Sequence, residues 1–305
     1  MDDLPIPIKH VIDTHVHLTT DTLRNKLIES PPDAWKEGVA KSQVYNYKMF
    51  EEEINKSICQ LDACIYVQCF NYPAIDECCW AINFAKSNDN IVRGVVAEIP
   101  VPQGAEAVTS FLQAVQARCG ESALPRELKG GRVVLLGQAE NASLDSIYVE
   151  GLTQLHQAGL HWEFCCHPGH IPYILATCKR CPKDMVFVLD HLLHNSAGDT
   201  SANDFESWSV NIAKLAREIP NTYCKIGAVE EWGCSEPYKY LEFAIEAFGY
   251  DRVLYESNWF VSRIVGGSKY DDTAKLLCKV LLSRKASRSE IENVFYRNAK
   301  KVYKL

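Results

Sequence analysis

The chain has no basic block: Lys and Arg total 32 against 39 Asp and Glu, the formal net charge is -7, and cationic side chains gather no further than pairs such as Lys300 and Lys301. Binding of nucleic acid or of an anionic membrane through a basic face is therefore disfavoured. No apolar run reaches the roughly 20 residues that a membrane helix needs. The opening MDDLPIPIKH is acidic and broken by proline, without the charged start and long apolar stretch of a secretion signal. There is no internal repeat and no low-complexity tract, which excludes solenoids and compositionally biased linkers. Cysteine, by contrast, is plentiful: there are 13, an odd count, several inside apolar runs such as ACIYVQCF and EFCCH. Without a secretion signal, these are expected to be reduced, buried small hydrophobes in a cytoplasmic protein. Hydrophobic residues at 47% and charged residues at 23% complete the composition of an ordinary globular chain.

Short β-rich runs recur along the sequence at 10–16, 62–69, 91–99, 131–136, 160–166, 185–190, 222–229 and 252–257. Between them lie segments with apolar residues three and four apart, among them GAEAVTSFLQAVQA, FESWSVNIAKLAREI and EPYKYLEFAIEAF. The strand runs are almost continuously apolar, as befits a parallel sheet covered on both faces. Eight strand and helix alternations without a break in composition predict a single (β/α)8 TIM barrel over residues 1–305, an open doubly wound sheet being the alternative. Two additions are expected. Residues 18–50, with Pro31, Pro32, Trp35, Tyr45 and Tyr47, form a long first βα loop over the barrel mouth. Residues 287–305 form an extra C-terminal helix, capped near Ser287 or Ser289 and packed on the outside.

The polar residues that interrupt this pattern gather at predicted C-terminal strand ends, where barrel chemistry sits. The first strand ends in DTHVH, and the two-residue period of a strand projects His15 and His17 to one side. The fifth runs into CCHPGH, with His167 and His170, and the sixth into LDHL, with His191. Converging imidazoles suit a divalent metal or the polarisation of an oxyanion. Gln68 ends the second strand as a candidate hydrogen-bond partner for a carbonyl or as a satisfied polar residue closing the barrel. Tyr45, Tyr47 and Trp35 are candidates to stack on a ring substrate or to anchor their loop. Cys178 and Cys181 form a CxxC with no second pair, which argues against a zinc ribbon. Cys166, beside His167, would be a nucleophile only if its thiol faces the mouth.

At this point IDTHVHL, GLTQLHQAGLHWEFCCHPGHIP, VFVLDHL, NTYCKIG and RVLYESNWFV resemble, in order and spacing, the amidohydrolase superfamily, in particular its amidohydrolase-related branch with L-fuconolactonase and 2-pyrone-4,6-dicarboxylate lactonase. The resemblance covers nearly the whole chain. It implies a barrel that hydrolyses a ring ester or amide at its C-terminal mouth, with one zinc or with no metal. It places His15, His17, His167 and His191 in the ligand or catalytic set, and Arg132 at the family's Gly-x-Arg. Arg132 and Lys225 become candidates to hold a carboxylate or hydroxyl-rich ring, or partners of neighbouring carboxylates. The family's eighth strand usually ends in a pattern like GSDWP, whose Asp takes the proton of the attacking water. Here that position is Asn258, whose amide has no basic site near neutral pH. Two residues earlier, where the family has Gly, stands Glu256, on the same face and roughly 6 to 7 Å deeper. Either Glu256 supplies the missing carboxylate or it is a buried partner of a cation such as Lys225. The expected activity is ring opening of a small lactone. A zinc-dependent decarboxylase and a non-catalytic ligand-binding barrel are the alternatives, the partner in each case being a small molecule, with self-association left open.

Overall fold

The computed structural model describes residues 8–20, 45–69, 73–87, 89–193, 205–229 and 236–305. Eight parallel strands pair in sequence order: β1 (Ile8–Val16), β2 (Cys59–Val67), β3 (Val92–Ala97), β4 (Leu128–Val134), β5 (His161–Cys165), β6 (Phe187–Leu189), β7 (Thr222–Ile226) and β8 (Val253–Tyr255). Each matches one of the eight runs read from sequence. Order and closure decide against the open doubly wound sheet, because a parallel bridge from Val16 to Trp259 brings the last strand back to the first. Side chains finish that seam. Thr14 Oγ1 donates to the Tyr255 carbonyl at 2.7 Å, and the Ser257 amide donates to Asp13 Oδ1 at 3.0 Å.

The outer layer contains α1 (Tyr47–Ile54), α2 (Ala74–Lys86), α3 (Ala105–Arg118), α4 (Ser146–Gln157), α5 (Ile171–Cys178), α6 (Phe205–Glu218), α7 (Pro237–Phe248), the short α8 (Val261–Gly266) and α9 (Asp272–Ser283). None of the described helices is long and apolar enough to cross a membrane. Burial separates two apolar regions. A large one, with Trp162, Phe164, Cys166 and Cys224, lies between strands and helices. A smaller one fills the lumen with Ile12, Ile65, Val188 and Leu254. On β5 the alternation sends Trp162 and Phe164 outward and leaves His161, Glu163 and Cys165 for the interior, so the lumen is partly polar by sequence.

The C-terminal segment departs from expectation in its place. It is helical from Arg288 to Val302, as α10 (Arg288–Glu292), a π turn at Asn293–Arg297 and α11 (Asn298–Val302), and Ser287 opens it with a capping box to Glu290. It does not merely lie against the outside. Ala299, Val302 and Tyr303 join the lumen cluster, and Asn298 Nδ2 donates to the Val253 carbonyl at 2.8 Å at the start of β8. The tail is the floor of the barrel. Of the long first loop, Pro31, Pro32 and Trp35 lie outside the described residues.

Candidate active site

The strand ends bring one set of buried groups together at the mouth. His17 Nδ1 lies 2.8 Å from the Val67 carbonyl, which can only accept, so Nδ1 carries the proton and the lone pair is on Nε2. That Nε2 is 3.2 Å from Nε2 of His15. Arg132, from β4, donates through NH1 to His15 Nε2 at 3.1 Å and to Asp190 Oδ2 at 3.0 Å, and through NH2 to the Gln68 carbonyl at 2.7 Å. On the other side of the same ring, His15 Nδ1 is 3.2 Å from Glu256 Oε2 and 3.2 Å from Lys225 Nζ. Glu256 Oε1 accepts from the His191 backbone amide at 3.1 Å and lies 2.9 Å from His191 Nδ1. Every one of these side chains is almost wholly shielded from solvent.

Local backbone makes this convergence possible. His191, Leu192 and Leu193 have φ of 52°, 61° and 49°, and Asn258 has φ of 50°. Three left-handed non-glycine residues in a row after β6 are costly and mark a mouth shaped by its surroundings. Asn tolerates that conformation better than most residues. Gly227, just after β7, gives room for Glu256: a Cβ there would come within 2.4 Å of Glu256 Cγ.

Electrostatics follow from burial and pairing. Burial pushes Glu256 up, but the charge of His191 and the hydrogen bonds from His15 and His191 outweigh it and hold the carboxyl at about 2. Burial likewise opposes ionisation of Asp190, yet Lys225, His15 and Arg132 keep it well below the usual carboxylate range. Lys225 is raised although burial works against its charge, because Asp190 and Glu163 surround it. His15 is lowered by burial and by Lys225, and His17 well lowered by burial, His15 and Arg132. Asp13, behind the pair, is raised by burial to about 6 despite hydrogen bonds from Ser257, Tyr270 and the His15 amide.

Glu256 therefore engages histidines, whereas Lys225 pairs with Glu163 Oε2 at 2.5 Å and Asp190 Oδ1 at 2.9 Å. Arg132 is tied down by Asp190, a carbonyl and His15, so its fork is not presented to a substrate carboxylate. The other expected residues separate from this cluster. His167 lies two residues past β5, only partly buried, and its ring packs on His170 with centroids 4.1 Å apart. Tyr45 stacks on Phe260 at 4.3 Å, and Tyr47 accepts the Ile91 amide at 3.1 Å, so both rings anchor the chain. Cys166 faces the outer core and burial pushes its thiol well up, which removes it as a nucleophile. The described cysteines are all free and, Cys119 apart, buried. Sequence reading passed over Asp190, Glu163 and His161. The signal was present in the polar inward positions of HWEFC and in the acid beside His191.

Three groups of donors lie close enough to share an ion among the described residues: His15, His191 and Glu256; Cys165, Asp190 and His191; and His15, Glu163 and Asp190. The last does not fit a metal, because the Lys225 ammonium stands 2.5, 2.9 and 3.2 Å from its three donors. The first fits a divalent ion chemically: two imidazoles and a carboxylate are a nitrogen and oxygen set that zinc accepts. Charge agrees, since Glu163, Asp190 and Glu256 outnumber the fixed cations Arg132 and Lys225. Of the ligand set expected from sequence, His15 and His191 fall in these groups, and His17 and His167 lie outside them.

Residues 12–305 match the amidohydrolase family. Over 148 residues the chain is 26% identical to the L-fucono-1,5-lactonase of Burkholderia ambifaria, covering 46% of this chain and 49% of that one. It spans about half the length of the curated relatives it matches. The fold is similar to that of an amidohydrolase from Burkholderia multivorans with bound zinc (TM-score 0.75, 21% identity, 97% of this chain and 99% of that one). It is also similar to a protein from Acinetobacter baumannii described as a probable 2-pyrone-4,6-dicarboxylic acid hydrolase (TM-score 0.68, 12% identity, 97% and 100%). With a match that runs from β1 to the last residue, a closed eight-stranded barrel and histidines gathered at its strand ends, the chain belongs to the amidohydrolase family.

Proposed function

We propose that this protein opens a small cyclic ester by water attack at the C-terminal mouth of the barrel. The observation that carries the reading is the Glu256, His191 and His15 arrangement. A carboxylate held ionised 2.9 Å from His191 Nδ1 fixes the ring with its proton on that side, which makes Nε2 the basic nitrogen. His191 takes a proton from water as the oxygen attacks the lactone carbonyl. The tetrahedral intermediate places negative charge on the former carbonyl oxygen, and the newly protonated His191, together with Arg132 and Lys225 on either side of His15, offsets the three carboxylates and that charge. Collapse breaks the ring carbon to oxygen bond, and His191 returns the proton to the leaving alkoxide, giving a hydroxy acid. Glu256 orients His191, which makes a carboxylate at position 258 unnecessary. A divalent ion held by His15, His191 and Glu256 would, when bound, take the place of the proton between His191 and Glu256 and supply a Lewis acid instead.

The 26% identity to a fuconolactonase supports a hydroxyl-rich lactone. The engaged fork of Arg132 speaks against the decarboxylase reading, which needs a cation for a departing carboxylate. A panel of sugar and aromatic lactones, tested on metal-stripped and on zinc-loaded protein with metal content measured, decides the matter. Turnover of at least one lactone is expected, and silence on every lactone in both forms would sink the reading in favour of a ligand-binding barrel.

A further inference from the structure

The polar groups at the mouth do not end at the mouth. Lys225 Nζ, which touches His15 Nδ1 at 3.2 Å, is held from below by Glu163 Oε2 at 2.5 Å. The other oxygen of that carboxylate, Oε1, accepts from the Tyr303 hydroxyl at 2.8 Å and lies 2.9 Å from His161 Nε2. Tyr303 is the third residue from the end of the chain, wholly buried in the floor, with its ring packed edge to face on that of His161 at 5.0 Å. Three contacts thus lead from the tail to His15 at the mouth. Space for the relay is built in, because Gly130 faces the His161 ring and a Cβ there would come within 2.6 Å of it.

A barrel floor needs only apolar packing, which Val302 and Ala299 provide. Burying a carboxylate and an ammonium there is costly unless each is paired and its remaining hydrogen-bonding capacity is met. The Lys225 ammonium has two carboxylate acceptors within reach, Glu163 and Asp190, and stands 3.2 Å from His15 Nδ1. Without Glu163 in place, one of the two carboxylates that fix the ammonium beside His15 would be gone. We propose that Tyr303 and His161 are positioning residues, which clamp Glu163 from the floor and so hold the Lys225 ammonium against His15 at the mouth. The C-terminal tail is then part of the site's construction as well as its plug. The relay concerns the geometry of Lys225 whatever the substrate, so it stands or falls separately from the lactone reading.

The test is the 15N-labelled lysine spectrum of the full-length protein, in which the buried Lys225 ammonium is identified by its loss in Lys225→Arg. In Tyr303→Phe, which keeps the ring and removes only the hydroxyl, hydrogen exchange of that ammonium should speed up by about tenfold, the equivalent of one hydrogen bond. Glu163→Gln should move the signal further in the same direction. Tyr296→Phe, in the same tail but packed on His10 and Lys300, should leave it in place. A lowered melting temperature in Tyr303→Phe with the Lys225 signal and its exchange unchanged would overturn the proposal and leave Tyr303 as packing alone.

Discussion

Two groups of histidines stand at neighbouring strand ends and behave differently. His15, His17 and His191 share the mouth with Arg132, Lys225, Asp190 and Glu256, every ring fixed by a charged group or a backbone carbonyl. His167 and His170 meet chiefly each other, over the 3-10 turn after β5. From sequence they look alike, as HxH and HxxH. What divides them is the partner each meets past its strand, since His191 follows β6 by two residues just as His167 follows β5. His191 turns onto the Glu256 carboxylate at 2.9 Å, whereas the His167 ring packs on His170. A histidine becomes part of a charged network only where another strand end supplies it with a charged partner.

That contrast can be broken from either side. The largest effect is expected from His191→Gln, which removes the proposed base and should lower kcat about 10² to 10⁴-fold with the fold intact. His167→Gln should act mainly on KM, and an equal loss of kcat in both would erase the distinction. Lys225→Met should destabilise the fold by about 3 to 5 kcal/mol in urea titration, because Glu163 and Asp190 stay buried without their ammonium. A cost near zero would mean that these carboxylates are less committed than their distances indicate.

The pH dependence of folding sharpens the same point. His15 and His17 are held below their ordinary 6.5, so between their folded values and 6.5 the unfolded chain binds protons that the native one refuses. Stability should fall as pH drops through 6.5, and again below 4.5 as unfolded Glu256 protonates while the folded group waits until about 2. Asp13 runs the other way: raised to about 6 from 3.8, it binds its proton more tightly when folded, so it adds stability as pH falls across that window. Asp13→Asn should therefore steepen the acid loss in urea midpoints taken from neutral pH downward. An unchanged slope would show that Asp13 does not titrate there. The smallest effect is expected from Tyr47→Phe, which costs about 1 to 3 kcal/mol by stripping the Ile91 amide of its acceptor and leaves turnover unchanged.

The eight strands were legible because burial on both faces writes itself as continuous apolar runs, and β8 even showed where polarity enters, at Glu256 just past its end. The histidines at strand ends were legible for the same reason. Their partners were not. Glu256 reads as a displaced base or a lysine's partner until the fold shows it beside two imidazoles, and Arg132 reads as a substrate clamp or a carboxylate's partner until Asp190, a carbonyl and His15 are found around it. The tail reads as an ordinary amphipathic helix, since nothing in NAKKVYKL says that Tyr303 will meet Glu163 across 140 residues.

The sequence by itself determined eight strands, their alternation with helices and the histidines at their ends, because these follow from periodicity along a single strand or helix. Only the tertiary structure decided which lumen charges pair. Those pairings join β1, β4, β5, β6, β7, β8 and the tail, and a pair between two strands depends on register, depth and the exclusion of water, none of which a local pattern records.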